Sequence, residues 1–201
     1  LLPSDRALGP LLEQAAALVV EGHRLDSAGT LAETLRPLLR SMNSYYTNKI
    51  EGQHTRPADI ERALKKQFDA DKKQAQKQRL AVAHIQTEEE LESDLPATRM
   101  ALFEPGYVQR IHRNLYARLP AKDRVTDEGK AMLPGEIRAG HVSAGTHGAP
   151  PPEEIGELLK AWQAEYAAKR GLERATAGWA CSHHRLLRIH PFPDGNARAA
   201  R

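Results

Sequence analysis

Side chains able to do chemistry are densest between His190 and Arg201. An imidazole with an ordinary pKa of about 6.5 can take a proton from an attacking hydroxyl near neutral pH, which makes His190 a candidate general base. Pro191, Pro193 and Gly195 oppose helix, whereas Ala197, Arg198, Ala199, Ala200 and Arg201 favour it, so a loop is expected to open into a helix near Gly195. Backbone N–H groups at such a start bind anions, phosphate above all. Arg198 and Arg201, three apart, share a helical face from which both can reach anionic oxygens. Asp194 suits Mg²⁺, which is commonly held by one or two carboxylates together with phosphate oxygens and water. These residue types assemble a polyphosphate site with a base beside it, and chemistry at phosphorus is the matching reaction class. Phe192 is expected to bury its ring and fix the loop. The same types also make an ordinary capped, solvated helix end, and types alone do not separate the two.

Such a loop needs a scaffold, and the periodicity upstream is helical. Leu11, Leu12, Ala15, Leu18 and Val19 recur at helical spacing, as do Leu31, Leu35, Leu38 and Leu39 in a Thr30 to Arg40 stretch that contains Pro37. Pro57 reads as a helix-start proline followed by the stripe Ile60, Leu64, Phe68. Asp69 to Arg79 is polar and reads as a solvated helical face or a long turn. Pro105 opens another stripe, Val108, Ile111, Leu115 and Leu119, which stops at Pro120. Between Pro120 and Pro152 the helical period disappears. Gly129, Gly135, Gly140, Gly145 and Gly148, with an alternation around Ile137, Val142 and Ala144, predict loop plus a small β-hairpin. Pro150, Pro151 and Pro152 followed by Glu153 and Glu154 start a helix whose buried face is Ile155, Leu158, Leu159, Trp162 and Tyr166. A last helix is expected over Leu172 to Ile189, with Trp179, Ala180, His183 and Leu187 on one side. Nothing alternates strand with helix, so the expected fold class is mostly α, a helical bundle with one short hairpin.

Composition narrows the partners. The 201 residues, 40% hydrophobic, suffice for one substantial core. The formal charge of +3 is spread along the chain, and with 5% aromatic residues it argues against nucleic acid. Cys181 stands alone, which excludes an internal disulfide framework and fits a reducing compartment. No apolar run approaches the roughly 20 residues that cross a bilayer, so no membrane partner and a cytoplasmic location are expected. His23, His54, His84, His112, His141, His147, His183 and His184 fall at no metal-ligand spacing and read as packed or hydrogen-bonded; Cys181, Trp162, Trp179 and Tyr166 read as core.

The run from His190 to Arg201 resembles the signature of the Fic (fido) family, H-P-F-x-D/E-G-N-G-R-x-x-R. The pattern is long and mixed in residue type, hence specific. The resemblance implies a Fic-like helical bundle that moves AMP from ATP, with Mg²⁺, onto a Ser, Thr or Tyr hydroxyl of a target protein. It implies His190 as general base, Asp194 as the Mg²⁺ ligand, and Gly195, Asn196 and Ala197 as a phosphate-binding loop, with Arg198 and Arg201 on the phosphates. One position departs from the pattern: Ala197 stands where the family has glycine. Its N–H survives and a helical φ suits alanine, but the methyl can crowd the phosphates.

Two upstream segments extend the resemblance. Leu133 to Arg138, then Val142, is similar to the family's flap, a hairpin over the active site; Gly135, Glu136, Ile137 and Arg138 would dock an extended target segment by strand addition. An ordinary surface hairpin, with Arg138 as a turn-stabilising charge, is the alternative. Thr47, Glu51 and Gly52 match the family's inhibitory pattern S/T-x-x-x-E-G/N, in which the Glu pairs with the second signature arginine, here Arg201. The alternative is a surface acid and a helix-capping glycine. Residues 1–85 are expected to form an N-terminal helical region carrying the inhibitory helix, and 86–201 the Fic core, continuing beyond Arg201. A self-inhibited protein adenylyltransferase, with homo-oligomerisation open, is thus expected. Removal of AMP, transfer of another phosphate-linked group, and a degenerate nucleotide-binding module without turnover are the competing readings.

Overall fold

Proline or an acidic cap marks the start of three of the helices. The computed structural model describes residues 5–26, 30–126, 128–144, 147–167 and 172–201. Along them run α1 (Asp5–Asp26), α2 (Thr30–Ile50), α3 (Pro57–Leu64), α4 (Lys72–Ser93) and α5 (Pro105–Ala117), then β1 (Ser143–Ala144) and β2 (His147–Gly148), then α6 (Ile155–Tyr166), α7 (Leu172–Ile189) and α8 (Asn196–Ala200). Pro57 and Pro105 occupy the first turns of α3 and α5, where a missing N–H forfeits no helical bond. Asp71 caps α4 by accepting from the Gln74 N–H at 2.8 Å. Gly145 lies outside the described residues, as do the side chains of Leu31, Ala144 and His147.

The short α8 lies among three longer helices. It touches α2, α5 and α7, while α4 packs on α2, α3 and α5, and α6 on α7. Phe192 and Ile189, each 1% exposed, are buried with Ile155, Leu159 and Trp162 beneath the His190 loop. Burying a ring such as that of Phe192 is worth about 2–3 kcal/mol, so the loop is anchored by its own hydrophobe. A second cluster, Leu80, Ala83, Leu115, Tyr116, Leu119 and Met132, supports it from the other side.

Several expectations need correction. The helix entered at Thr30 does not stop near Arg40 but runs to Ile50, through Pro37. The polar Asp69 to Arg79 stretch supplies the start of α4, whose buried face is made of Ala75, Gln78, Ala81, Ala83, His84 and Thr87 as much as of leucine, so the usual apolar stripe is absent. In α3 only part of the expected stripe is buried: Ile60 is, whereas Leu64 and Phe68 are exposed. Leu11, Leu18, Leu38 and Leu39 are also exposed, and of the α1 stripe only Ala15 is buried. The inward side of α7 is Ala175, Ser182, Leu186 and Ile189, while Trp179 and Ala180 face outward. Cys181 is half-buried, packed against the main cluster. The hairpin pairs Ser143 with Gly148 and Ala144 with His147; Leu133 to Arg138 is turn and irregular backbone rather than a strand.

Candidate active site

His190 follows the end of α7 with a φ of 51°, a left-handed conformation that costs a non-glycine residue on the order of 1–2 kcal/mol. Three bonds hold it there. Its N–H donates to the Leu186 carbonyl at 3.0 Å, its own carbonyl accepts from Arg138 Nε at 2.7 Å, and the Arg138 N–H donates to the next carbonyl, that of Pro191, at 2.9 Å. The ring Nδ1 lies 3.3 Å from the Leu187 carbonyl, which can only accept, so Nδ1 carries the proton and Nε2 keeps a lone pair. Burial, reinforced by the Arg138 cation, holds the imidazole below its ordinary 6.5, against the opposite pull of the Leu187 carbonyl, Asp194 and Glu51. The ring is therefore neutral and proton-accepting at neutral pH.

The loop closes on itself beyond His190. The Asn196 amide clips Phe192 with both arms: Oδ1 accepts from the Phe192 N–H and Nδ2 donates to its carbonyl, each at 2.8 Å. Gly195 has φ 76°, and a Cβ there would fall inside the Tyr116 phenol, so two independent constraints require glycine. Asp194 Oδ1 accepts from the Gly195 N–H and from Arg198 Nη2 at 2.9 Å. The same Arg198 Nη2 donates to the Tyr116 hydroxyl at 2.7 Å, whereas Arg198 Nε is buried without a hydrogen-bond partner. A buried guanidinium with an uncommitted donor invites an anion. The N–H groups of Asn196, Ala197 and Arg198 precede the first helical donor, that of Ala199, so α8 itself supplies them no acceptor. Ala197 is not among the residues with positive φ; it sits in α8 and its carbonyl accepts from the Arg201 N–H at 3.2 Å, so its backbone needs no glycine.

Arg201 turns away from this loop toward the end of α2. Its Nη2 reaches Glu51 Oε1 at 2.5 Å and its Nη1 the Thr47 carbonyl at 3.3 Å. Helix α2 finishes in a Schellman arrangement: the Gly52 N–H bonds to the Lys49 carbonyl and the Gln53 N–H to that of Asn48, with Gly52 at φ 71°. Glu51 is thus the last residue before the chain reverses, aimed at Arg201 from 150 residues away. Thr47 is buried and contributes its main-chain carbonyl.

Residues 102–201 match the model of the Fic/DOC family. The chain belongs to the Fic/DOC family. It is 27% identical over 103 residues to proteins called "Protein adenylyltransferase Fic" from Drosophila mojavensis and Drosophila virilis, a match covering 51% of this chain and 20% and 21% of those proteins. The chain therefore spans about a fifth of the length of these curated relatives. Among solved structures, a Fic family protein from Desulfovibrio desulfuricans G20 superposes with TM-score 0.68 at 19% identity, over 95% of this chain and 55% of that one. A Fic domain containing signaling protein from Bacteroides thetaiotaomicron VPI-5482 gives 0.58 at 19% identity, over 84% and 62%. These last two likenesses concern the helical fold.

Within this Fic domain the sequence-selected residues divide by environment. His190, Asp194, Gly195, Asn196, Ala197 and Arg198 form one loop and helix start, and Thr47 and Glu51 meet it through Arg201, with Gly52 in the turn behind Glu51. Gly135 and Arg138 are bonded inward, Ile137 packs on the core, and Glu136 is exposed. Three supports of the Fic loop are not obvious from sequence. His112, 0% exposed, accepts from the Gly135 N–H on Nδ1 at 2.8 Å and donates from Nε2 to the Asp194 carbonyl at 3.1 Å, stacked on Phe192 with ring centroids 4.0 Å apart. Tyr116, one turn further along α5, underlies Gly195 and Arg198. Their i, i+4 spacing was a signal, but it looks like any packed helix face. Arg138 is the third. Among the described residues no helix is long and apolar enough to cross a membrane.

Proposed function

We propose that this Fic domain is a protein adenylyltransferase that moves AMP from Mg-ATP to a Ser, Thr or Tyr hydroxyl of a target protein, restrained by Glu51. The single observation that carries this reading is the placing of His190 Nδ1 at 3.3 Å from the Leu187 carbonyl, which leaves Nε2 to accept, on the same loop as the anion-seeking Arg198 and the carboxylate of Asp194. A target hydroxyl would attack the α-phosphorus and its proton would pass to His190 Nε2. The bond to the leaving pyrophosphate would break, and AMP would end esterified to the target. Asp194 would hold Mg²⁺, which neutralises phosphate charge; no three His, Cys, Asp or Glu side chains gather for a cation among the described residues, so its other ligands would be phosphate oxygens and water. The uncommitted Arg198 Nε and the amides of Asn196, Ala197 and Arg198 suit phosphate oxygens. Arg201 would take the terminal phosphate but is engaged by Glu51 at 2.5 Å, which supports inhibition by competition for one guanidinium.

The test is self-modification with ATP labelled on the α-phosphate, run in parallel with γ-label. Glu51→Gly is expected to raise α-label incorporation, and His190→Ala to abolish it while calorimetry still detects Mg-ATP. Incorporation of γ-label instead would make the reaction phosphate transfer. A specific residue favours one rival, a module that binds nucleotide without turnover: Ala197, whose methyl replaces the family glycine beside the phosphates. Nucleotide binding with no labelling in Glu51→Gly, and labelling restored by Ala197→Gly, would assign the deficit to that methyl.

A further inference from the structure

Arg138 has an unusual environment for a cation. It is 3% exposed, and its guanidinium donates to main-chain carbonyls alone: Nε to His190 at 2.7 Å, Nη1 to Gly140 at 2.9 Å, and Nη2 to Pro150 at 2.7 Å and to Ile189 at 3.5 Å. Among the described residues no carboxylate pairs with it, and burial pushes its pKa below the ordinary arginine value. A buried charge is costly unless it is paired or hydrogen-bonded, and here the main chain supplies the acceptors. Its N–H also donates to the Pro191 carbonyl, so one residue grips two consecutive carbonyls, those of His190 and Pro191, directly at the positive-φ residue. Four of the five guanidinium N–H donors are committed in this way, and at 3% exposure the side chain presents little to a docked target.

We propose that Arg138 is a positioning residue for His190: it fixes the left-handed backbone that turns the imidazole so that Nδ1 meets the Leu187 carbonyl and Nε2 faces the reaction. This rests on the reading of His190 as general base. The same grip ties the segment after Gly135 to the loop, because Gly135 is joined through His112 to Asp194 as Arg138 is to His190. The two ends of the loop, base and carboxylate, are thus held from one segment. The charged groups facing the ring are Arg138 from that segment, Asp194 from the loop and Glu51 from the end of α2.

The experiment compares Arg138→Gln and Arg138→Lys with the parent chain, each also in the Glu51→Gly background. Ring ¹⁵N chemical shifts of His190 at alkaline pH distinguish the two neutral tautomers without any need for turnover. The parent is expected to show the Nδ1–H form and Arg138→Gln a mixture, with Arg138→Lys between them because an ammonium cannot span three divergent carbonyls. Since misplacement of a catalytic group by about 1 Å can cost on the order of 100-fold, kcat with α-labelled ATP should fall at least about tenfold while KM for ATP stays within about twofold. An unchanged tautomer and kcat in Arg138→Gln overturns the proposal. So does a rise confined to KM for the target protein, which would make Arg138 a docking residue. If Arg138→Gln shows no cooperative melt, Arg138→Lys decides, and a parental tautomer there overturns it. If the Glu51→Gly parent transfers nothing, adenylyl transfer fails as a function, while the tautomer still decides the role of Arg138.

Discussion

Gly195 shows how tightly single residues are specified around His190. Its φ of 76° alone disfavours a side chain, and the Tyr116 phenol fills the space into which a Cβ would project. Gly195→Ala should therefore destabilise the fold by about 2 kcal/mol or more, combining a left-handed alanine with an overpacked contact. Urea unfolding measures this, and a loss under about 0.5 kcal/mol would show that Tyr116 yields easily. His190 makes a second prediction at this scale. A general base works only when neutral, and burial lowers its pKa from 6.5, so transfer by Glu51→Gly should hold through neutral pH and decline only as the solution is acidified below 6.5. A kcat profile already falling between pH 8 and 7 would contradict that environment for the ring.

At the scale of elements, the end of α2 matters most, because a helix terminus decides where Glu51 points. The side chains of Glu51 and Arg201 are 32% and 23% exposed, and such a partly screened pair is worth about 1 kcal/mol. Its geometry depends on Gly52, the left-handed residue of the Schellman turn, beside which a Cβ would meet no atom. Gly52→Ala should thus cost about 1 kcal/mol through backbone strain alone and, by loosening the turn, release part of the restraint on transfer. Thermal melts and α-label incorporation check the two halves; a full stability loss with no gain in transfer would separate the helix end from inhibition. Elements were legible in sequence to the degree that proline or apolar spacing marked them. Pro57 and Pro105 announced α3 and α5, whereas for Leu172 to Ile189 the extent was legible and the buried side was not. Helix α4 did not stand out, because it buries alanine, Gln78, His84 and Thr87 where a stripe detector looks for leucine. Glycines at 135 and 140 suggested a hairpin too early, since Gly135 serves a hydrogen bond from its N–H to His112 rather than a strand turn.

Across the whole molecule, the loop was readable because its residues are contiguous, whereas its supports come from α5, the segment around Arg138 and the end of α2, and distance in sequence hides such contacts. Glu51 and Arg201 could be paired in advance only by resemblance, and nothing in the spacing linked His112 to Asp194. That hidden support has a consequence for the stability of the fold. Burial pushes the His112 pKa down to about 4, with the Arg198 cation acting in the same direction against the Asp194 carbonyl and charge. His84 is also lowered to about 4, by burial and then by Arg198 and Arg201. Above pH 6.5 both imidazoles are neutral in the folded and unfolded chain, and neither costs anything. As pH falls through 6.5 the unfolded chain binds protons that the folded one refuses, so stability declines until about pH 4, where the folded state takes them up as well. At about 1.4 kcal/mol per pKa unit, the drop from 6.5 to about 4 makes His112 alone responsible for about 3 kcal/mol over that window. Gln can donate to the Asp194 carbonyl and accept from the Gly135 N–H without titrating. His112→Gln should therefore be less stable than the parent at pH 7.5 for want of the ring stack, yet lose less on acidification between pH 6.5 and 5, before carboxylates dominate. Denaturant unfolding at intervals across that range measures the slope, and equal slopes in the two proteins would mean that His112 is not held neutral by the fold.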